Sequence, residues 1–151
     1  MKIPSAEARD IRLLLENHSD FRVSEYQSII EEVGADRVGV FLDIINPISG
    51  FEDPLPIVAA LAPHAWAGHA KDYRLASIPT DDGYHRRGFQ VNWCYPGEGA
   101  ADLPALMTAL RRGLGDRDCF VSIEGLDNYA DRADQRDRVR ASLALLTPLA
   151  A

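Results

Sequence analysis

Four ionisable residues fall at the ends of four apolar runs, and their types are those of hard metal ligands. Ile11 to Leu15 runs into Glu16, and Val38 to Leu42 runs into Asp43. A third stretch, Trp66-Ala67-Gly68-His69-Ala70-Lys71-Asp72, carries His69 into a cluster of charge, and Cys119 to Ile123 runs into Glu124. The steps between these four are 27, 26 and 55 residues. Two glutamates, one aspartate and one histidine form a mixed oxygen and nitrogen donor set. It suits one divalent ion (Mn, Mg, Co or Zn), and the donor types alone do not choose among them. A single acid at a strand end is most often a loop or cap residue. Four in register set the expectation that Glu16, Asp43, His69 and Glu124 converge.

Composition narrows the classes. At 151 residues the chain has room for one domain with a core. A net charge of −7 argues against a general nucleic-acid binder and against anionic membranes. No apolar run approaches the roughly 18 residues of a membrane helix, and the start, Met1 to Glu7, has no hydrophobic signal core. Cys94 and Cys119 form neither a C-x-x-C pair nor a disulfide framework. The reading is a cytoplasmic protein with no nucleic-acid and no membrane partner.

The elements that must position the four residues follow from periodicity. Residues 1–10 are polar and read as frayed or as the tail of a helix. Residues 11–16 read as a buried strand. Ser24 with Gln27 suggests a capping box, and Tyr26, Ile29, Ile30 and Val33 recur at helical spacing, with Gly34 as the stop. The second strand ends at Asp43. Asp53-Pro54 is a cap followed by proline at the first helical position, and Ile57, Val58 and Leu61 form a short stripe. The third strand covers about 64–70. Residues 73–100, with Pro79, Asp81-Asp82-Gly83 and Pro96-Gly97-Glu98-Gly99, show little periodicity and read as one long functional loop. Asp102 is placed to cap a helix carrying Leu103, Leu106, Met107 and Leu110, ended by Gly113. The last strand is Cys119 to Glu124. The last helix, about 132–146, has Val139, Leu143 and Leu146 on one side and a solvated Asp/Arg face on the other.

Strand and helix alternate through four units, which means a parallel sheet with helical crossovers. Alternation puts Arg12 and Leu14, Gly39 and Phe41, Ala65 and Ala67, Phe120 and Ser122 on the ligand face. The opposite face is aliphatic and suits a helix layer. The ligand face is mixed in size and polarity, as a barrel interior is, and the chemistry of such barrels sits at the C-terminal strand ends.

At this point the chain resembles a known family. Leu14-Leu15-Glu16-Asn17-His18, Leu42-Asp43, His69-Ala70-Lys71-Asp72, Pro96-Gly97-Glu98-Gly99 and Ser122-Ile123-Glu124-Gly125 are similar to motifs of the xylose isomerase-like TIM barrels, the sugar phosphate isomerase/epimerase superfamily. The similarity runs from about residue 8 to 146. It implies that Glu16, Asp43, His69 and Glu124 bind one divalent metal. It also implies that the chain is a single half-barrel domain, the last four βα units of a (β/α)₈ barrel. A full barrel takes about 250 residues, so the expectation is a fragment, a split subunit, or a half-barrel that self-associates or meets a complementary N-terminal half. Asn46 is a second departure, because some sugar epimerases of this family carry a substrate-touching histidine there.

The chemistry so implied is proton abstraction beside a carbonyl in a sugar or polyol. Glu16 and Glu124 are the catalytic pair, one removing a proton and the other returning it. A bound ion stabilises an enediolate as a Lewis acid. His18, Asn46, Lys71 and Asp72 are the expected substrate-binding residues. A dehydratase or lyase on the same scaffold, or a non-catalytic half-domain, are the alternatives. His64 and His85 read as structural or exposed, Arg86 and Arg87 as solvated, and Gly97-Glu98-Gly99 as a turn, since it lacks the third glycine of a dinucleotide motif.

Overall fold

The computed structural model describes residues 9–78, 88–125 and 132–150. The expectations for residues 1–8, for Pro79, Asp81-Asp82-Gly83, His85, Arg86 and Arg87 lie outside the described residues. The fold is α/β, and the chain divides into two compact units: Met1–Ala70 with Pro104–Ser122, and Lys71–Leu103 with Ile123–Ala151.

The first unit is built on β1 (Leu13–Glu16), β2 (Val38–Asp43) and β3 (Ala65–Ala70), with β6 (Phe120–Ile123) next to β3 in the order β1-β2-β3-β6. β1 pairs parallel with β2, and β2 with β3, in the register Leu14 to Gly39 and Asp43 to His69. The unit's helices are α1 (Val23–Val33), α2 (Pro54–Leu61) and α3 (Leu103–Leu114, of which residues from Pro104 on belong here). Val40, Leu42, Ile44, Ile45, Val58 and Leu61 are at most 1% exposed and form the centre of the core. Burying each such side chain contributes about 1.5–3 kcal/mol. Asp53 caps α2 by accepting from the Leu55 N–H at 3.0 Å, and Pro54 follows in the first turn.

Four local readings change. α1 begins one residue earlier than its expected cap. Arg22 is the cap residue, and Glu25, not Gln27, closes the turn by accepting from the Arg22 N–H at 2.7 Å. α3 runs past Gly113 and ends at Gly115, whose φ of +62° suits the left-handed turn. Gly113 lies inside the helix at a close approach to Ala62, where a Cβ would collide. The first strand, at the sheet edge, begins at Leu13 rather than Ile11, and Ile11 and Leu13 are exposed rather than under helices.

The fourth change is an irregularity in the β2–β3 ladder. Val40 pairs with Ala65 and Phe41 with Ala67, so Trp66 is an extra residue in β3. Ala65 therefore moves to the helix side, fully buried, and Trp66 takes the ligand-face position expected for Ala65. Its ring lies over Gly39, where a Cβ would sit 2.5 Å from Trp66 Cδ1. The Arg12 guanidinium stacks on that ring at 3.4 Å.

The second unit corrects the long loop. Residues 73–100 contain most of a two-stranded antiparallel ribbon, β4 (Asp72–Ser77) with β5 (Phe89–Cys94). Tyr73 pairs with Trp93 and Leu75 with Val91, so one face of the ribbon is apolar and the other carries Asp72, Arg74, Asn92 and Cys94. α4 (Arg132–Leu146) buries Ser142 and Leu146. Leu143, expected on its inner face, is 51% exposed. Ser142 Oγ instead donates to the Pro96 carbonyl at 3.0 Å, which turns that side of α4 toward the loop. No helix among the described residues is long and apolar enough to cross a membrane.

Candidate metal centre

Parallel pairing aligns the C-terminal ends of β1, β2 and β3, and each strand delivers one donor there. Glu16 is the last residue of β1, Asp43 the last of β2, and His69 the fifth of six in β3. One ligand atom from each lies within 4.8 Å of the others. His69 Nδ1 is 3.6 Å from Glu16 Oε1 and 3.9 Å from Asp43 Oδ2. Asp43 is fully buried, His69 is about one quarter exposed, and Glu16 is 40% exposed. The Phe41 ring packs edge-on against His69, with centroids 4.6 Å apart.

The aspartate is held at every backbone group. Asp43 Oδ1 accepts from the N–H groups of Ile45 and Asn46, both at 2.8 Å. The Asn17 side-chain amide donates to the Asp43 carbonyl at 2.9 Å and accepts from the Asp43 N–H at 2.6 Å. In effect the amide adds one more rung to the β1–β2 ladder. Asn46 reaches the other way and donates from Nδ2 to Glu16 Oε1 at 3.4 Å. Tyr26 on α1 donates its hydroxyl to the Glu16 carbonyl at 2.9 Å. Burial pushes the Tyr26 phenol above its ordinary range, so it stays a donor.

The donor set fits a divalent cation. Two carboxylates and an imidazole nitrogen face one small volume, and a single imidazole cannot neutralise both acids. Asp43 Oδ1 is saturated by backbone donors, which directs Oδ2 at the shared volume.

The remaining expected residues have other surroundings. His18 is exposed, with Nδ1 3.8 Å from Asp20. With Asn46 it lines an open pocket of about 220 Å³ that also includes Arg22, Glu25 and Glu52. In the second unit, Lys71 is buried and donates to Glu124 Oε2 at 2.8 Å, with Nζ 4.7 Å above the Trp93 ring. Asp72 is 1% exposed. Its Oδ1 accepts from the N–H groups of Tyr73 and Ala101, and its Oδ2 from those of Gly97 and Gly99. Four backbone donors make it the organiser of the 96–101 turn. A Cβ on Gly99 would collide with that carboxylate. Glu98 closes the same turn through a two-point pair with Arg138, at 2.6 and 2.7 Å.

Sequence reasoning missed Asn17, which it placed in a loop; Asn46, expected as a substrate contact, donates to Glu16 Oε1. The available signal was position: each asparagine follows a donor closely, by one residue and by three.

Parallel strands ending together at one edge of the sheet are the arrangement of a barrel whose chemistry sits at the C-terminal strand ends. Residues 2–149 match the family described as xylose isomerase-like TIM barrel. The chain belongs to that family. The uncharacterised protein YihM of Escherichia coli (strain K12) is 28% identical over 117 residues, which is 78% of this chain and 33% of that protein. A xylose isomerase domain protein from Planctomyces limnophilus superposes with a TM-score of 0.74 at 23% identity, over 95% of this chain and 48% of its own. A xylose isomerase-like TIM barrel protein from Mycobacterium smegmatis, solved in complex with magnesium, gives 0.66 at 22% identity, over 97% and 47%. At these identities the structural likeness carries the fold. The chain spans about one third of the curated relative and about half of these solved TIM-barrel proteins.

Proposed function

We propose that this xylose isomerase-like chain carries the metal-binding half of an isomerase or epimerase acting on a small sugar or polyol. The observation that carries the reading is the convergence of Glu16, Asp43 and His69 within 4.8 Å at three aligned strand ends. These residues would hold the ion, with Glu124 as the fourth ligand that the family resemblance implies. When bound, a divalent ion would supply Lewis-acid stabilisation of charge developing on a substrate carbonyl.

The chain's own residues do the proton chemistry. Glu16 takes the proton from the carbon beside the carbonyl, and the C–H electron pair moves toward the carbonyl oxygen. Glu124, starting in its protonated form, returns a proton to carbon and is left as the carboxylate, which Lys71 steadies from 2.8 Å. Asp43 is too enclosed to serve as a base, since its Oδ1 already accepts two backbone donors. Loss of a β-hydroxyl after the first step would make the reaction a dehydration. Solved proteins of this fold include one described as a probable 3-DHS dehydratase and one described as D-tagatose 3-epimerase-like. The second glutamate favours epimerisation, because a returned proton needs its own carrier.

The reading includes a partner, either a second copy or a complementary set of four βα units, in a cytoplasmic enzyme. Ile11 and Leu13 by β1 are 49% and 39% exposed, and Phe120 on β6 is 73% exposed, at the two edges of the sheet. Light scattering after size exclusion tests this, and a stable 16.7 kDa monomer would count against it.

Function is tested by Mn²⁺ titration calorimetry and by NMR of substrate α-proton exchange in deuterated water across ketoses, inososes and related keto acids. Asp43→Asn and His69→Gln are each expected to weaken Mn²⁺ binding at least about 10-fold. Wild-type affinity in both variants would overturn the metal assignment. Metal binding without exchange, in the assembled complex, would favour a non-catalytic half-domain.

A further inference from the structure

The two oxygens of Glu16 have different surroundings. Oε1 accepts from Asn46 Nδ2 at 3.4 Å and lies 3.6 Å from His69 Nδ1. Among the described residues no hydrogen bond or ion pair is recorded at Oε2, and the side chain is 40% exposed. A carboxylate that both ligates a cation and moves a proton must use a different oxygen for each task, because a lone pair donated to the cation cannot take up a proton. Something must therefore choose between Oε1 and Oε2.

We propose that Asn46 makes that choice: it is a positioning residue that pins Glu16 Oε1 into the donor cluster and leaves Oε2 for the substrate proton. The inference rests on the metal-centre reading above and deepens it. Asn46 is suited to the task because it is itself immobile. It is 2% exposed, sits at the start of a 3₁₀ turn followed by Pro47, and its N–H is held by Asp43 Oδ1 at 2.8 Å. The bond is one half of a reciprocal brace. Asn17, next to Glu16, grips Asp43, while Asn46, three residues after Asp43, grips Glu16. Displacement of the Asp43 backbone then works against Asn17, and rotation of the Glu16 carboxylate works against Asn46. A neutral amide also does what a lysine could not: it orients the acid without adding a cation that competes with a metal ion.

The proposal separates donor from bulk. Asn46→Leu keeps the volume and deletes the N–H donor, and Asn46→His restores a donor at the same place. Three readouts are taken on the full chain: Mn²⁺ affinity, the Asn46 side-chain amide resonances, and the thermal melt. Glu16→Ala is expected to shift the Asn46 amide resonances. Asn46→Leu is expected to weaken Mn²⁺ about 10-fold, within the usual range for a residue that orients a ligand. Asn46→His is expected to recover most of that loss, and Asn46→Leu is expected to cost nothing further when Glu16 is already alanine. An equal loss in both backgrounds, or no loss in a folded Asn46→Leu chain, would overturn the proposal. So would amide resonances indifferent to Glu16→Ala. If the wild type binds no Mn²⁺ while the amide still answers to Glu16→Ala, the metal reading fails and the Asn46–Glu16 contact stands.

Discussion

The two units of this chain hold chemistry-bearing residues by different means. In the first, the donors stand on strand ends above an apolar core of Val40, Leu42, Ile44 and Leu61, and side-chain amides make the final adjustment. In the second, charged side chains do most of the holding. Asp72 gathers four backbone N–H groups, Glu98 binds Arg74 and Arg138, and Lys71 pairs with Glu124. Burial is additive and tolerant of small changes, whereas a saturated carboxylate fails as a whole when one group is lost. The first unit should therefore yield gradually to substitution, and the second abruptly.

The largest expected effect is at Asp72. Asp72→Ala strands four backbone donors and should cost on the order of 3 kcal/mol or more. Hydrogen exchange should show protection lost at Tyr73, Gly97, Gly99 and Ala101 while amides of β2 keep theirs. Equal loss in β2 would break the contrast.

Next comes Asn17→Ala. It unpairs the buried N–H and C=O of Asp43 and should cost about 2–3 kcal/mol by denaturant unfolding. Mn²⁺ affinity should fall with it, since Asp43 loses its anchor. Full stability in this variant would show that the ladder alone holds the aspartate.

Gly39→Ala sets a Cβ against the Trp66 ring and should cost about 1–3 kcal/mol. Trp66→Leu in the same chain should return most of it. A Gly39→Ala chain as stable as wild type would mean that the irregularity in β3 relaxes, and that the first unit is softer than its packing suggests.

The smallest effect depends on pH. Burial, with Asp72 nearby, pushes the Cys94 thiol from about 9 up to about 11. The folded state keeps a proton that the unfolded chain releases first. The stabilisation from the neutral thiol is complete below about pH 9 and disappears as pH rises to about 11. The loss is on the order of 1–2 kcal/mol. The difference between wild-type and Cys94→Ala melts from pH 8 to 11.5 isolates it. A difference that does not narrow over that range would remove Cys94 from the buried side of the second unit.

How far the chain could be read divides by the range of the interactions. The sequence by itself determined the order of the four βα units, the Asp53-Pro54 start of α2 and the span of α4, along with the placement of Glu16, Asp43 and His69 at strand ends. Each of those follows from periodicity or capping within a few residues. The ribbon of residues 72–94 reads as a loop in the sequence: Phe89-Gln90-Val91-Asn92-Trp93-Cys94 alternates with period two, but its partner lies across a long connection. Only the tertiary structure decided that Trp66 is an extra residue in β3, that Asp72 gathers a turn 25 to 29 residues away, and that Asn17 and Asn46 bridge 26 and 30 residues to hold the Asp43 backbone and the Glu16 carboxylate. A side-chain amide or carboxylate states which bonds it can make. Which backbone groups come within its reach is set by how the strands pack, and no local pattern records that.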